Sequence, residues 1–215
     1  TTITVEQLFA NVPARRKFLK KDATESAAVA ASVEKIALSH PEIAIRLITD
    51  GNIRLDTAGD GKLENTIYSV LGRDFARRML PVKCRSEGVE VHGFIGTPDN
   101  VKPTRNFQNF FINNRYVKSR TAMAALEQAF SSYIAPERFP ACVLFIDVNP
   151  AAVDVNVHPA KLEVKFSNEK IIFDTVYYAV RSALEKNTDR PDLVLHSDPS
   201  VEMHTSNAFV PEMDR

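Results

Sequence analysis

The sequence predicts an α+β domain, a mixed sheet with helices on one face, followed by a linker. Three observations carry that expectation. Segments in which apolar and polar residues alternate are interleaved with segments of helical period. One run, 141–148, is apolar except for Asp147, as suits a strand buried on both faces. From about Asn187 periodicity stops and prolines, serines and acids take over. The expected boundaries are a folded domain over 1–187 and an acidic, largely disordered linker over 188–215.

Taken in order, 1–9 alternates Ile3 and Val5 with polar partners and is expected to be a strand. It starts abruptly and without methionine, so the chain is expected to be part of a longer polypeptide. Over 24–40 the residues Val29, Val33, Ile36 and Ala37 fall on one face at helical spacing, with Thr24 as cap and Pro41 beyond the end. Asp50-Gly51-Asn52 tolerate positive φ and join 43–48 to 53–55 as a hairpin. After a loop at 58–62 come a short helix, 63–71, and a hairpin of 81–85 with 89–95 through Ser86-Glu87-Gly88. A third hairpin joins 107–112 to 116–118 through Asn113-Asn114-Arg115, where asparagine can occupy the left-handed region. A helix over 119–134 turns Met123, Leu126, Ala129, Phe130 and Tyr133 inward. Alternation returns at 153–157 and 162–166, and helical period at 171–186.

Composition excludes several classes. At 215 residues, 44% hydrophobic and 25% charged, the chain can bury a core and is not disordered throughout. No apolar run approaches the roughly 20 residues of a membrane span, and the basic first 20 residues contain no apolar signal segment, so a cytoplasmic protein is expected. Cys84 and Cys142 sit in apolar or alternating runs and are expected to be reduced core thiols. The five histidines, at 40, 92, 158, 196 and 204, have no metal-ligand spacing, so no protein-bound metal is expected.

Net charge is zero, but its sign is segregated. Residues 101–120 hold Lys102, Arg105, Arg115, Lys118 and Arg120 and no acid. Residues 1–21 hold five cations against Glu6 alone, and 187–215 hold six acids against two arginines. The basic run falls at a hairpin end and helix start, where phosphate contacts are sterically easy. A charge run is usually a solvated face, and here the two readings are evenly weighted before any family likeness is considered. Phe107, Phe110 and Phe111 interleave with these cations, but their strand spacing favours core positions over base-stacking platforms.

Two segments are far more specific. They are T-x-x-x-V-x-x-L-F-x-N-x-P-A-R-R-K-F-L, from Thr1 to Leu19, and D-V-N-V-H-P-A-K, from Asp154 to Lys161. With F-I-N-N-R-Y-V between them, they resemble the MutL family of DNA mismatch repair proteins over roughly 1–187. The resemblance implies the transducer half of an ATPase of the gyrase, heat-shock chaperone, histidine kinase and MutL (GHKL) superfamily, with a fold like the second domain of ribosomal protein S-five. In that family ATP and Mg are held mainly by a preceding GHKL domain, which carries the catalytic glutamate. No complete catalytic set is therefore expected here, and the chain alone is expected to be inactive and monomeric.

The resemblance assigns Lys161 to the γ-phosphate of ATP held by that neighbour in cis, and places Thr1 beside the adenine pocket. A strand anchored by Val153, Val155 and Val157 and stopped at Pro159 is a fixed stalk for a lysine, a compact charge suited to a terminal phosphate. Asn156 and His158 are expected to position that loop. Arg120, Arg115 and Lys118, with Lys17 and Lys170 as further members, are expected to bind DNA backbone without sequence preference. Implied partners are the mismatch-recognition protein MutS and a second copy in a homodimer. Many family members have glycine where Asn114 stands, which bears on the aim of Arg115. The alternatives are a transducer domain of a type II topoisomerase, disfavoured by N-V-H-P-A-K, and a ribosomal-type RNA-binding domain without nucleotide coupling.

Overall fold

The computed structural model describes residues 1–154 and 164–188. Its centre is a five-stranded mixed sheet built from strands β3 (Met79–Ser86), β4 (Val89–Gly96), β5 (Gln108–Ile112), β6 (Arg115–Val117) and β7 (Cys142–Asp147), in the order β3-β4-β7-β5-β6. All neighbours are antiparallel except β5 and β7, which run parallel. A separate hairpin pairs β1 (Arg46–Thr49) with β2 (Asn52–Asp56), and β8 (Val153–Asp154) pairs with β9 (Lys165–Phe166).

The period of two along β5 and β7 divides the core. Phe110, Ile112, Leu144 and Ile146 point to one face and meet helices α5 (Arg120–Phe130) and α6 (Glu169–Thr188) through Leu126, Phe130, Val176 and Val180. Phe111, Val143 and Phe145 point to the other, against Leu38 of α2 (Asp22–Ser39), Ile67 of α3 (Leu63–Leu71) and Phe75 of α4 (Arg73–Ala76). The apolar run is thus a strand buried on both faces over Cys142 to Ile146, as expected, with Asp147 half-buried at its end. The α+β class and the mixed sheet stand. The expected helix layer on one face is α5 and α6, but the second face is also covered, because β7 has no polar side to give to water.

Two local expectations are corrected. Residues 1–9 form no strand; in the stretch before α2 only the short helix α1 (Pro13–Arg16) forms, no residue there is buried, and Ile3 and Val5 are exposed. Alternation needs a neighbouring edge to become a strand, and the described residues supply none. Helix α2 forms over the expected residues and buries part of the expected face: Ala37 is buried and Val33 half-buried. Ala30, Ala37 and Leu38 are buried, while Val29 and Ile36 are 55% and 53% exposed. It packs on α3 and β6, burying Leu38 against the sheet.

The turns at Asp50-Gly51, Glu87-Gly88 and Asn113-Asn114 all carry positive φ; Asp, Asn and Gly favour it, whereas Glu87, at φ 47°, does not. The expected linker over 189–215 and the strand end at 155–163 lie outside the described residues. Among those described, no helix is long and apolar enough to cross a membrane.

Candidate nucleic-acid interface

The β5–β6 turn builds the first part of the site. Asn113 and Asn114 adopt φ of 47° and 64°, so asparagine supplies the left-handed turn that glycine would otherwise provide. The turn is tied to the end of β7: the Asn113 backbone N–H donates to the Ile146 carbonyl at 3.2 Å, and the Val148 N–H donates to Asn113 Oδ1 at 3.0 Å. Arg115, the first residue of β6, therefore leaves a braced turn and is exposed. Phe110 and Phe111 below it are core residues, as their spacing predicts.

One turn further on, Val117 is buried, Lys118 is exposed, and the buried Ser119 caps α5 by accepting from the Ala122 N–H at 3.2 Å. Arg120 opens the helix and is exposed. Among the described residues Arg115, Lys118 and Arg120 form no ion pair. Two clefts run between them. Arg115, Ile112, Val117, Val153 and Val164 line one of about 290 Å³, and Lys118, Arg120, Lys165, Val164 and Glu169 line another of about 300 Å³. Val164 is common to both, so the four cations group around one side chain.

The rest of the basic run is different. Arg105 donates from Nε and Nη2 to the Glu127 carboxylate at 2.6 and 3.0 Å, which raises its own pKa and holds the Glu127 carboxyl below its usual range. Lys102 stands over the rings of Phe107 and Phe75, 5.1 and 5.6 Å from their centroids. The apparent charge of the run is therefore larger than the charge it offers to a ligand.

Lys170 lies on the first turn of α6, but its Nζ is 2.5 Å from Asp174, an i,i+4 ion pair that raises its pKa. The helix brings the acid alongside, so the charge of Lys170 is partly balanced before any ligand arrives. Lys17 caps the C-terminus of α1 in the unburied leading segment and lines neither cleft. Thr1 is exposed at the start of the same segment. Lys161, Asn156 and His158 lie outside the described residues; their segment leaves from β8 and returns just before β9, and Val153 and Val164 at those ends line the Arg115 cleft.

Sequence reasoning missed two lysines. Lys165 reads as the solvated position of an alternating strand, and only the approach of α5 places it beside Lys118 and Arg120. Lys35 of α2 is largely buried: it donates to Asn109 Oδ1, sits 5.5 Å from the Tyr116 ring, and has its pKa lowered by burial. It lines a cleft of about 520 Å³ with Ile36, Asn114, Arg115 and Tyr116, behind the turn that aims Arg115. Among the described residues no group of three or more His, Cys, Asp or Glu is placed to hold a metal.

Comparison with known proteins bears on what such a surface serves. The family model described as "DNA mismatch repair protein, C-terminal domain" matches residues 67–185, more than half of the chain. This chain belongs to the MutL family of DNA mismatch repair proteins. MutL of Thermoanaerobacter pseudethanolicus is 36% identical over 200 residues, covering 93% of this chain and 33% of that protein. MutL of Symbiobacterium thermophilum is 42% identical over 184 residues, covering 86% and 29%. The chain thus spans about a third of the length of the MutL relatives it matches.

Solved structures agree in fold. The N-terminal domain of a DNA repair protein superposes with a TM-score of 0.68 at 21% identity, over 84% of this chain and 60% of that one. The Aquifex aeolicus MutL ATPase domain complexed with ADP gives 0.53 at 20% identity, over 79% and 55%. Membership in the MutL family sets aside the topoisomerase and ribosomal alternatives.

Proposed function

We propose that this chain acts in DNA mismatch repair as the transducer part of a MutL-type ATPase, holding DNA by its backbone and linking nucleotide state to that grip. The observation that supports it best is the group of Arg115, Lys118, Arg120 and Lys165 around Val164, none of them in an ion pair among the described residues. Backbone cations of this kind contact phosphates without reading sequence. The turn that carries Arg115 is braced on β7, so the grip is pre-organised.

ATP and Mg are held mainly by a neighbouring GHKL domain in cis, and Lys161 supplies a charge to the γ-phosphate, with Asn156 and His158 positioning its loop. A contact made with triphosphate and lost on hydrolysis is the differential affinity a switch requires. Val153 and Val164, which flank 155–163 in the chain, also wall the Arg115 cleft, so the sensing lysine and the DNA surface are close in sequence. The neighbouring domain seats on the apolar face that the described residues leave open. Exposed apolar residues available to it are Val29 on α2 and Ile48 opposite Ile53 on the hairpin, the latter two 57% and 61% exposed. Closure of a homodimer around DNA and recruitment by MutS complete the reading; Thr1 borders the adenine pocket in it, and Lys17 and Lys170 flank the DNA surface.

The test uses the full-length protein. Lys161→Ala lowers ATPase activity and ATP-dependent dimerisation together, and unchanged values for both remove the sensing role. Arg120→Glu weakens duplex binding at low salt, and an unaltered affinity removes the DNA surface.

A further inference from the structure

The cleft between the starts of α5 and α6 holds three cations that form no ion pair among the described residues. Lys118 and Arg120 stand on its α5 side and Lys165 on β9, with Val164 between them. One carboxylate, Glu169, shares the cleft, but its oxygens are already engaged. One accepts from the Thr121 hydroxyl and the other from the Phe166 backbone N–H at 3.2 Å. Glu169 therefore stitches the two helix starts together and captures none of the three cations. The Ser119 hydroxyl is likewise committed to the Ala122 N–H.

The cleft sets three cations against one carboxylate, and a concave wall with a net excess of positive charge focuses the field and draws an anion to it. The Lys165 ammonium leaves from a strand whose next residue, Phe166, is buried in the core, so its stem is fixed at the base. Its opposite neighbour in the β8–β9 pair is Asp154.

We infer that this cleft seats a phosphodiester of duplex DNA, with Lys165 as a further DNA-binding residue opposite Lys118 and Arg120. The inference rests on the DNA-backbone reading and adds the second wall of its binding surface. A polyanion fits better than an isolated anion because a second cleft, lined by Arg115, shares Val164 with this one and so sets a further cation near it. The phosphate of a free nucleotide shares the same chemistry, and the experiment separates the two sources.

The full-length protein is titrated with a duplex at several salt concentrations, then with a non-hydrolysable ATP analogue. Lys165→Ala reduces the magnitude of the log–log salt slope by about 0.9, so affinity lost between 50 and 200 mM salt falls by roughly 3.5-fold relative to the unmodified protein. Lys165→Glu weakens duplex binding further, Lys165→Arg restores it, and affinity for the ATP analogue is unchanged. An unaltered slope in Lys165→Ala alongside a weakened Arg120→Glu overturns the cleft seat and leaves the DNA reading standing. Unaltered binding in both variants overturns both. Loss of affinity for the analogue with duplex binding intact assigns the cleft to nucleotide and refutes a DNA phosphodiester seat.

Discussion

Five cations lie between 101 and 120 in sequence, and the structure divides them into two groups with opposite expected behaviour. If all five met DNA phosphates, the log–log salt slope from this segment would be about −4.5, at about −0.9 per contact with duplex DNA. Affinity would then fall roughly 500-fold between 50 and 200 mM salt. Arg105, however, is held bidentately by Glu127, and Lys102 is turned onto two phenylalanine rings. Only Arg115, Lys118 and Arg120 remain, which gives a slope near −2.7 and a fall of roughly 40-fold over the same range. In the full-length protein, single alanine variants of these three each lower the slope magnitude by about 0.9, measured by fluorescence anisotropy of a labelled duplex. Arg105→Ala leaves the slope unchanged but lowers the melting temperature, since its role is internal. Lys170→Ala moves the slope by less than Arg120→Ala, because Asp174 already balances it. The division is refuted if Arg105→Ala flattens the slope as much as Arg115→Ala does.

Three further outcomes follow from packing and protonation. Gly93 sits in β4 at φ 129°, and a Cβ there would lie 2.2 Å from the Val143 carbonyl oxygen of β7. Gly93→Ala should therefore cost about 3 kcal/mol in urea denaturation; a cost under about 1 kcal/mol would show that β4 and β7 separate easily. Phe111 is fully buried, stacked on Phe145 at 4.8 Å and edge-on to Tyr116 at 5.9 Å, so Phe111→Ala should cost about 4 kcal/mol while Phe111→Leu keeps the fold. Glu127 has its pKa depressed chiefly by the Arg105 hydrogen bond, with Gln108 assisting against burial. Its contribution is thus complete above the unfolded carboxyl pKa of about 4.3 and lost as pH falls through the lower folded value. The stability gap between wild type and Glu127→Gln should be constant above about pH 5.5 and close below it, and a gap that persists at the acid end would contradict the assignment.

Much of this molecule was legible in residue order because the relevant physics is local. Positive φ at Asn113 and Asn114 follows from their side chains, and the hairpins at 50–52 and 86–88 from theirs. The double burial of β7 follows from an apolar run without a polar face. The first nine residues and α2 misled for a shared reason: periodicity records which face is apolar, not whether anything covers it. Ile3, Val5 and Val29 are patterned for burial, and among the described residues they stay exposed.

What the sequence determined by itself was the family, through motifs at both ends of the folded region, together with the class of fold and the corner where the cations concentrate. Tertiary structure alone decided which of those cations are available. Glu127 removes Arg105 from 22 residues away, Asp174 balances Lys170 one helical turn on, and Lys165 joins Lys118 and Arg120 only because β9 and α5 meet at Val164. Residue type establishes that a charge exists, whereas its availability depends on what the fold brings within a few ångströms of it, and that distance is absent from linear order.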